Sequence, residues 1–138
     1  METVRDVHET MRENILPVLL DNTKTAHRLS ARLFRRYGLV SLIFGRPSLR
    51  DLFDLSSHTL RLPHTDCDRL QVEELIALAA KSEGKLLLLI PCSDRARATV
   101  ARFAPVLESR FLLLDADTAL TASPLSDIQQ AYSHSPLT

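Results

Sequence analysis

The sequence predicts an α/β domain in which helices cover both faces of a parallel sheet. Short apolar runs alternate with longer segments of helical periodicity, and this alternation favours β-α-β units over hairpins. The runs at 15–20, 39–44 and 85–90 are almost continuously apolar, as expected for strands buried on both faces. Because crossovers between parallel strands are nearly always right-handed, such units wind into one sheet.

The first apolar run, ILPVLL at 15–20, predicts a buried strand. A helix is predicted after it, since apolar residues recur on one face at helical spacing. These residues are Ala26, Leu29, Leu33 and Tyr37. Gly38 follows at the position where a glycine commonly ends a helix. The run at 39–44 is the predicted second strand, which stops before Gly45.

The alternation continues through the second half of the chain. Strands are predicted near 58–62, at 85–90 and at 111–114, and helices from Asp66 or Asp68 to Glu83 and over 94–104. The buried stripe of the first of these helices is expected to be Val72, Leu75, Ile76 and Ala79. The stripe of the second is expected to be Ala96, Val100, Phe103 and Ala104.

These elements predict a Rossmann-like three-layer sandwich with about five mostly parallel strands in the order 3-2-1-4-5. The first and fourth strands would then be central neighbours, and the residues after them would border one crevice. The Rossmann-like domain is assigned to residues 15–114. Residues 1–14 are interpreted as an N-terminal helix or arm, and 115–138 as a weakly structured tail.

Composition narrows the function classes. Lys and Arg total 17, as do Asp and Glu, so the formal net charge is zero. This balance argues against nucleic acid or an anionic membrane as the main partner. The N-terminal segment lacks the apolar region of a signal peptide, and the two cysteines, Cys67 and Cys92, lie in unrelated contexts. A cytoplasmic protein with reduced thiols is therefore expected.

Three segments occur in a definite order: ILPVLL, then RRYGLVSLIFGR at 35–46, then GKLLLLIPCSD at 84–94. In this order and spacing they resemble the N-terminal, or pre-ATP-grasp, domain of ATP-grasp carboxylate–amine ligases, the group that includes D-aspartate ligase-like proteins. The resemblance implies a domain that packs on ATP-binding domains and helps to frame the substrate side of a cleft.

The chain departs from the family pattern in three ways. Asp21, Asn22 and Thr23 stand where the family has a glycine-containing loop, and Ser93 stands where its PCGD turn has glycine. The sequence also stops before the family's ATP-binding domains would begin. The resemblance therefore implies no cofactor in this chain, with ATP and Mg²⁺ belonging only to the missing domains. A fragment of a longer carbon–nitrogen ligase and a standalone, non-catalytic domain both fit this pattern.

The candidate substrate-binding residues follow the two central strands. They are Asp21, Asn22, Thr23, Ser93 and Asp94. Side-chain oxygens and free N–H groups at helix starts can bind a ligand, but the same residue types also serve simply as helix caps. Both roles are open. No catalytic residue is predicted, and no metal ligand, because His58, His64 and Cys67 match no standard zinc spacing.

Two further hypotheses remain. The domain is alternatively a homo- or hetero-oligomeric binding or assembly module, whose exposed apolar surface meets a second copy or an ATP-grasp partner. The third hypothesis is a small independent enzyme that uses Cys92 or a histidine. A base beside Cys92 would have to come from elsewhere in the fold, for example from His27. Cys92 is interpreted instead as a buried structural thiol. The arginines of 28–36 are interpreted as a solvated face.

Overall fold

A computed structural model of the chain describes residues 14–46, 51, 54, 57–61 and 68–116. The predicted N-terminal arm lies outside the described residues, apart from its last residue. The segment with His64 and Cys67 and the residues beyond 116 lie outside them as well.

The described elements alternate between strands and helices, as the sequence predicts. The strands are β1 (Ile15–Leu20), β2 (Ser41–Gly45), β3 (Ser57–Arg61), β4 (Leu86–Pro91) and β5 (Leu112–Leu113). The helices are α1 (Lys24–Tyr37), α2 (Asp68–Lys81), α3 (Asp94–Arg102) and α4 (Ala104–Leu107). The strands form one sheet in the order β3-β2-β1-β4-β5, and every pairing is parallel. The predicted fold class and strand order are confirmed.

The centre of the sheet is the pairing of β1 with β4. Their register runs from Ile15 opposite Leu86 to Leu20 opposite Pro91, so the two strands end level with each other. The pairing extends one residue further, because the N–H of Cys92 donates to the carbonyl oxygen of Leu20 at 2.9 Å. Residues that follow the two strands therefore emerge side by side at one edge.

Helices cover both faces of this sheet. On one face α1 buries its whole predicted stripe, namely Ala26, Leu29, Leu33 and Tyr37, against the sheet. On the other face α2 and α3 bury Val72, Leu75, Ala79, Ala96 and Val100. Leucines of β4 alternate between the two faces. Each fully buried leucine stabilises the fold by about 1.5–3 kcal/mol, so this central strand anchors both layers.

The first boundary correction concerns β2, which begins at Ser41 rather than at residue 39. Gly38 adopts a left-handed conformation with φ 70° and closes α1. Its N–H donates to the carbonyl oxygen of Phe34 at 2.9 Å, and the N–H of Leu39 donates to that of Leu33 at 3.4 Å. Leu39 thus belongs to the helix terminus, whose carbonyls need these donors.

The second correction concerns the predicted helix over 94–104, which is two helices. α3 ends at Arg102, and Phe103 separates it from α4, whose first turn contains Pro105. Proline has no N–H to donate and fits only the first turn of a helix, so it favours a new start here. Phe103 and Ala104 are half-buried rather than part of a buried stripe, and so is Ile76 of α2.

The other strands and α2 have bounds that differ only slightly from the predicted ones. β3 and β4 are shifted by one residue from the predicted ranges, and β5 has two residues instead of four. Of the two predicted starts for α2, Asp68 is the observed one.

The Ser41 hydroxyl gives a test of the core. Ser41 is completely buried and its Oγ has no hydrogen-bond partner. A buried hydroxyl without a partner costs about 1–3 kcal/mol. The substitution Ser41→Ala should therefore raise the free energy of unfolding by about 1 kcal/mol, measured by urea denaturation.

Ser30 provides the matched control, because it is equally buried but has an interaction partner. Ser30→Ala should lower the free energy of unfolding. Equal destabilisation by both substitutions would contradict this account of Ser41.

Candidate functional site

The carboxyl edge of the sheet holds the residues predicted to form a rim. The hydroxyl of Thr23, after β1, donates to the carbonyl oxygen of Cys92, after β4, at 2.9 Å. Both segments therefore border one crevice, as the strand order requires. In open α/β sheets ligands bind at this edge, beside the point where the strand order reverses.

A small cavity opens at this edge beside β2. It has a volume of about 30 Å³ and is lined by Leu20, Asp21, Phe44, Gly45, Gln71, Arg95 and Ala96. Its lining includes one acidic residue, Asp21, and one basic residue, Arg95, together with the apolar residues Leu20 and Phe44. A space of this size holds about one or two water-sized groups.

Asp21 has an unusual backbone conformation. Its φ of 89° makes it the one non-glycine residue of the described chain with a positive φ. Its Oδ1 accepts a hydrogen bond from the N–H of Asn22 at 3.0 Å, which helps aspartate to tolerate this region. Glycine adopts this backbone region without strain, whereas aspartate does so at a cost.

Gly45, at the end of β2, is in close contact with the same turn. A Cβ at this position would lie 2.6 Å from the backbone nitrogen of Asn22 and 2.9 Å from its Cβ. Only glycine lets the two chain segments approach so closely. The sequence pattern assigned Gly45 only to the end of a strand, so this contact was not predicted.

A polar cluster surrounds His27, in the first turns of α1. Its Nδ1 lies 2.5 Å from Asp54 Oδ2, and its Nε2 lies 2.8 Å from Asn22 Oδ1 and 3.1 Å from Asp51 Oδ1. The side chains of His27, Asp51 and Asp54 are only 10%, 19% and 9% exposed. Ser57, at the start of β3, donates to Asp54 Oδ2 at 2.9 Å. We call His27, Asn22, Asp51 and Asp54 the His27 cluster.

Asn22 is the member that joins this cluster to the sheet edge. Its Nδ2 donates to the carbonyl oxygen of Arg46 at 2.7 Å and to the Asp51 carboxylate at 3.1 and 3.3 Å. The predicted substrate-binding residue Asn22 therefore already uses both ends of its amide within the protein. A ligand that binds this amide would have to replace one of these contacts.

Sequence reasoning missed His27, Asp51 and Asp54 as a group. Two signals were present: a histidine four residues after the helix cap, and a D-x-x-D spacing in the segment after β2. Neither signal is specific, because histidine and aspartate are ordinary surface residues.

Thr23 and Ser93 act as helix caps. Thr23 Oγ1 accepts from the N–H of Ala26 at 3.2 Å, and Ser93 Oγ accepts from the N–H of Ala96 at 3.0 Å. The Asp94 side chain is 98% exposed and forms an ion pair with Arg97. Capping is thus the observed role of two predicted residues, while substrate binding by any of the five stays a prediction.

Cys92 is buried, with 4% of its surface exposed. Burial, and next the negative charge of Asp21, raise the pKa of its thiol to about 12, although Arg97 opposes the shift. The thiolate is the nucleophilic form of cysteine, so Cys92 is inert at neutral pH. The ring nitrogens of His27 face the cluster described above. The hypothesis of a cysteine enzyme is thereby disfavoured.

No group of three His, Cys, Asp or Glu side chains in the described part of the chain is arranged to hold a metal ion. Among the same residues, no helix has both the length and the apolar character needed to cross a membrane.

Comparisons with protein-family models, with curated proteins and with solved structures found no match. The likeness to ATP-grasp ligases therefore rests on the three sequence segments described above.

Because Gly45 lies so close to Asn22, adding a methyl group at position 45 should destabilise the fold. Gly45→Ala should lower the free energy of unfolding by about 2 kcal/mol, because the new Cβ meets backbone rather than a flexible side chain. Urea denaturation measures the loss, and the amide signal of Asn22 should shift in NMR spectra. An unchanged stability would contradict the close approach.

Gly84→Ala is a contrasting control. Gly84 has φ 85° and nothing within 4 Å of an added Cβ, so only backbone strain of about 1 kcal/mol is expected. The Asn22 amide signal should stay in place in this variant.

The Cys92 thiol predicts a pH dependence. The folded pKa of about 12 lies above the ordinary 9.0, so the unfolded chain loses this proton first as pH rises. The stabilisation by the protonated thiol is complete below pH 9 and is lost between pH 9 and about 12. The difference in free energy of unfolding between wild type and Cys92→Ala should shrink by up to about 1.4 kcal/mol per pH unit in this window.

Measuring both proteins at each pH cancels the titration of all other groups. A difference that stays constant from pH 8 to 11 would show that the thiol is not held in its protonated form.

Proposed function

We propose that this chain is a pre-ATP-grasp type of domain that forms one wall of a substrate cleft and does not catalyse a reaction by itself. The Rossmann-like strand order and the polar carboxyl edge support the proposal. The type of reaction in the proposal comes from the three segments that resemble carboxylate–amine ligases.

The size of the crevice is the observation that carries the proposal. Side chains from β1, α2 and α3 converge on it, yet its volume is only about 30 Å³. Sites that enclose a small molecule measure about 300–1,000 Å³. The residues that the structure describes would therefore enclose a substrate at this edge only in part, and the proposal assigns the rest of the enclosure to an adjoining domain or partner chain.

The residues of the crevice suggest how it would contact a substrate. Arg95 can bind a carboxylate or phosphate through its planar guanidinium. Asp21 can accept hydrogen bonds from an ammonium or hydroxyl group. Thr23 and Ser93 fix the starts of α1 and α3 around them. Asp94 points into solvent beside Arg97, where only a partner surface could cover it.

The resemblance implies a reaction in which ATP activates a carboxylate as an acyl phosphate and an amine then attacks it. Under this proposal ATP and Mg²⁺ are held by the ATP-binding domains and not by this chain. The proposal includes the predicted cytoplasmic location and excludes nucleic acid and membrane as partners.

The purified chain should neither hydrolyse ATP nor bind it. Calorimetry with MgATP at micromolar to millimolar concentration should show no heat of binding, and no ADP should be released. Micromolar affinity for MgATP would overturn the proposal.

Reconstitution gives the positive test. An ATP-binding half encoded beside this gene should release ADP, in the presence of a carboxylate and an amine, only when this chain is added. Asp21→Asn and Arg95→Ala should each reduce that rate by at least tenfold, about 1.4 kcal/mol of transition-state binding. Glu73→Gln, on the exposed face of α2, is the matched control and should leave the rate unchanged.

The assembly-module hypothesis has weaker support. Phe34, Leu70 and Val106 are exposed apolar residues, but they lie on α1, α2 and α4. Scattered apolar residues of this kind are normal on protein surfaces. Sedimentation at high protein concentration distinguishes the cleft-wall proposal from the homodimeric assembly module. A chain that remains strictly monomeric would count against the assembly module.

A further inference from the structure

The permanently charged residues of α1 are all of one sign. The helix carries Lys24, Arg28, Arg32, Arg35 and Arg36, and it contains no aspartate or glutamate. The whole chain has 17 basic and 17 acidic residues, so the part outside α1 keeps 12 basic and 17 acidic residues and has a net charge of −5. Five positive charges are thus concentrated on one helix of a neutral protein.

These five residues share one face of the helix. Lys24, Arg28, Arg32 and Arg36 follow one another at intervals of four residues, and side chains at this interval are neighbours on a helix surface. Arg35 lies within the same face. Four of the five are exposed and Arg32 is half-buried, while the opposite face of α1 packs on the sheet. At about 1.5 Å per residue, this cationic face is about 18 Å long.

None of these five cations forms an ion pair with the residues that the structure describes. Arginines of the other helices differ, since Arg69 of α2 pairs with Glu73 at 3.5 Å and Arg97 of α3 pairs with Asp94. The Nε of Arg32 is buried and has no hydrogen-bond partner. Because an unpaired buried donor is unfavourable, the cationic face lacks acceptors that a partner could supply.

The cationic face is unfavourable for the helix itself. Like charges four residues apart repel each other, and α1 contains three such pairs: Lys24–Arg28, Arg28–Arg32 and Arg32–Arg36. A positive charge near the start of a helix also opposes the helix dipole. Lys24 is the first residue of α1, and the first turn has no acidic residue to offset it. An acidic partner would offset the mutual repulsion of these charges.

We propose that the cationic face of α1 binds an acidic surface of another protein. Four of its five cations are arginines, which bind carboxylates through two parallel hydrogen bonds. Phe34, which is 45% exposed, lies at the edge of the exposed side of α1. Interfaces between proteins are enriched in arginine and in aromatic residues. Carboxylates four residues apart on a partner helix would match the spacing of the cations.

The small extent of the cationic face favours a protein over nucleic acid or anionic lipid, which carry the same charge. Domains that bind nucleic acid have a clear excess of basic residues, whereas this chain is neutral. The arginines of α3 cannot enlarge the surface, because α1 and α3 pack on opposite faces of the sheet. The inference does not depend on the proposed cleft, so its test needs no substrate.

Titration of the ¹⁵N-labelled protein with a defined peptide tests the cationic face. The peptide is an alanine-based helix with glutamate at every fourth position, and the same peptide with glutamine is the neutral control. At low salt the glutamate peptide should shift the amide signals of α1, including that of Phe34, and the glutamine peptide should not. Unchanged α1 signals, or tighter binding of duplex DNA or phosphatidylserine vesicles to α1, would overturn the proposal.

Charge reversal at Arg28 separates binding from folding. Arg28→Glu places a carboxylate four residues from both Lys24 and Arg32, so it should raise the urea midpoint of unfolding. The same change should weaken binding of the glutamate peptide by at least about tenfold. Arg110→Glu, at an exposed position outside α1, is the matched control and should leave binding unchanged.

Arg28→Gln removes the charge without reversing it and should weaken binding in the same direction, which keeps the test decisive if Arg28→Glu fails to fold. Equal weakening by Arg110→Glu and Arg28→Glu, or undiminished binding by Arg28→Gln, would count against a docking surface on α1.

Discussion

The parallel pairing of β1 with β4 is the constraint on which the rest of this structure depends. These two strands are separated by 65 intervening residues and meet in register from Ile15–Leu86 to Leu20–Pro91. The order of the remaining strands follows from winding outward on either side of this pair. Because both strands are buried on both faces, they also anchor the two helical layers. Thr23 and Cys92 can bond only because these strands end at the same level.

The turn after β1 combines three structural demands within three residues. Asp21 adopts a left-handed conformation, Asn22 packs against Gly45 and ties the turn to Arg46, and Thr23 caps α1. Such a concentration of strain and polar contacts at the carboxyl edge of a parallel sheet is typical of functional sites.

The chemistry at this edge is divided between two sides of β1. On the side of α2 and α3, Asp21 and Arg95 both line the small cavity. On the side of α1 the His27 cluster is already filled by its own hydrogen bonds. Asn22 belongs to the second group and adjoins the first. Cys92, between the two sides, is buried, and its pKa is raised to about 12.

The sequence by itself determined the α/β class, the bounds of β1, the end of α1 at Gly38, the buried stripe of α1 and the strand order. These features depend on local signals, since continuous apolar runs, helical periodicity and caps such as Thr23 and Gly38 are read within a few residues. The break at Phe103 and the late start of β2 were missed, because the preferences of Pro105 and Leu39 compete with an apolar pattern that continues across them. The tertiary structure alone decided that His27 meets Asp51 and Asp54, that Gly45 touches Asn22, and that Arg95 and Asp21 line one cavity. Those contacts join residues more than 20 positions apart, and their distances are fixed by the packing of α1 and β2 around β1, which no local pattern encodes.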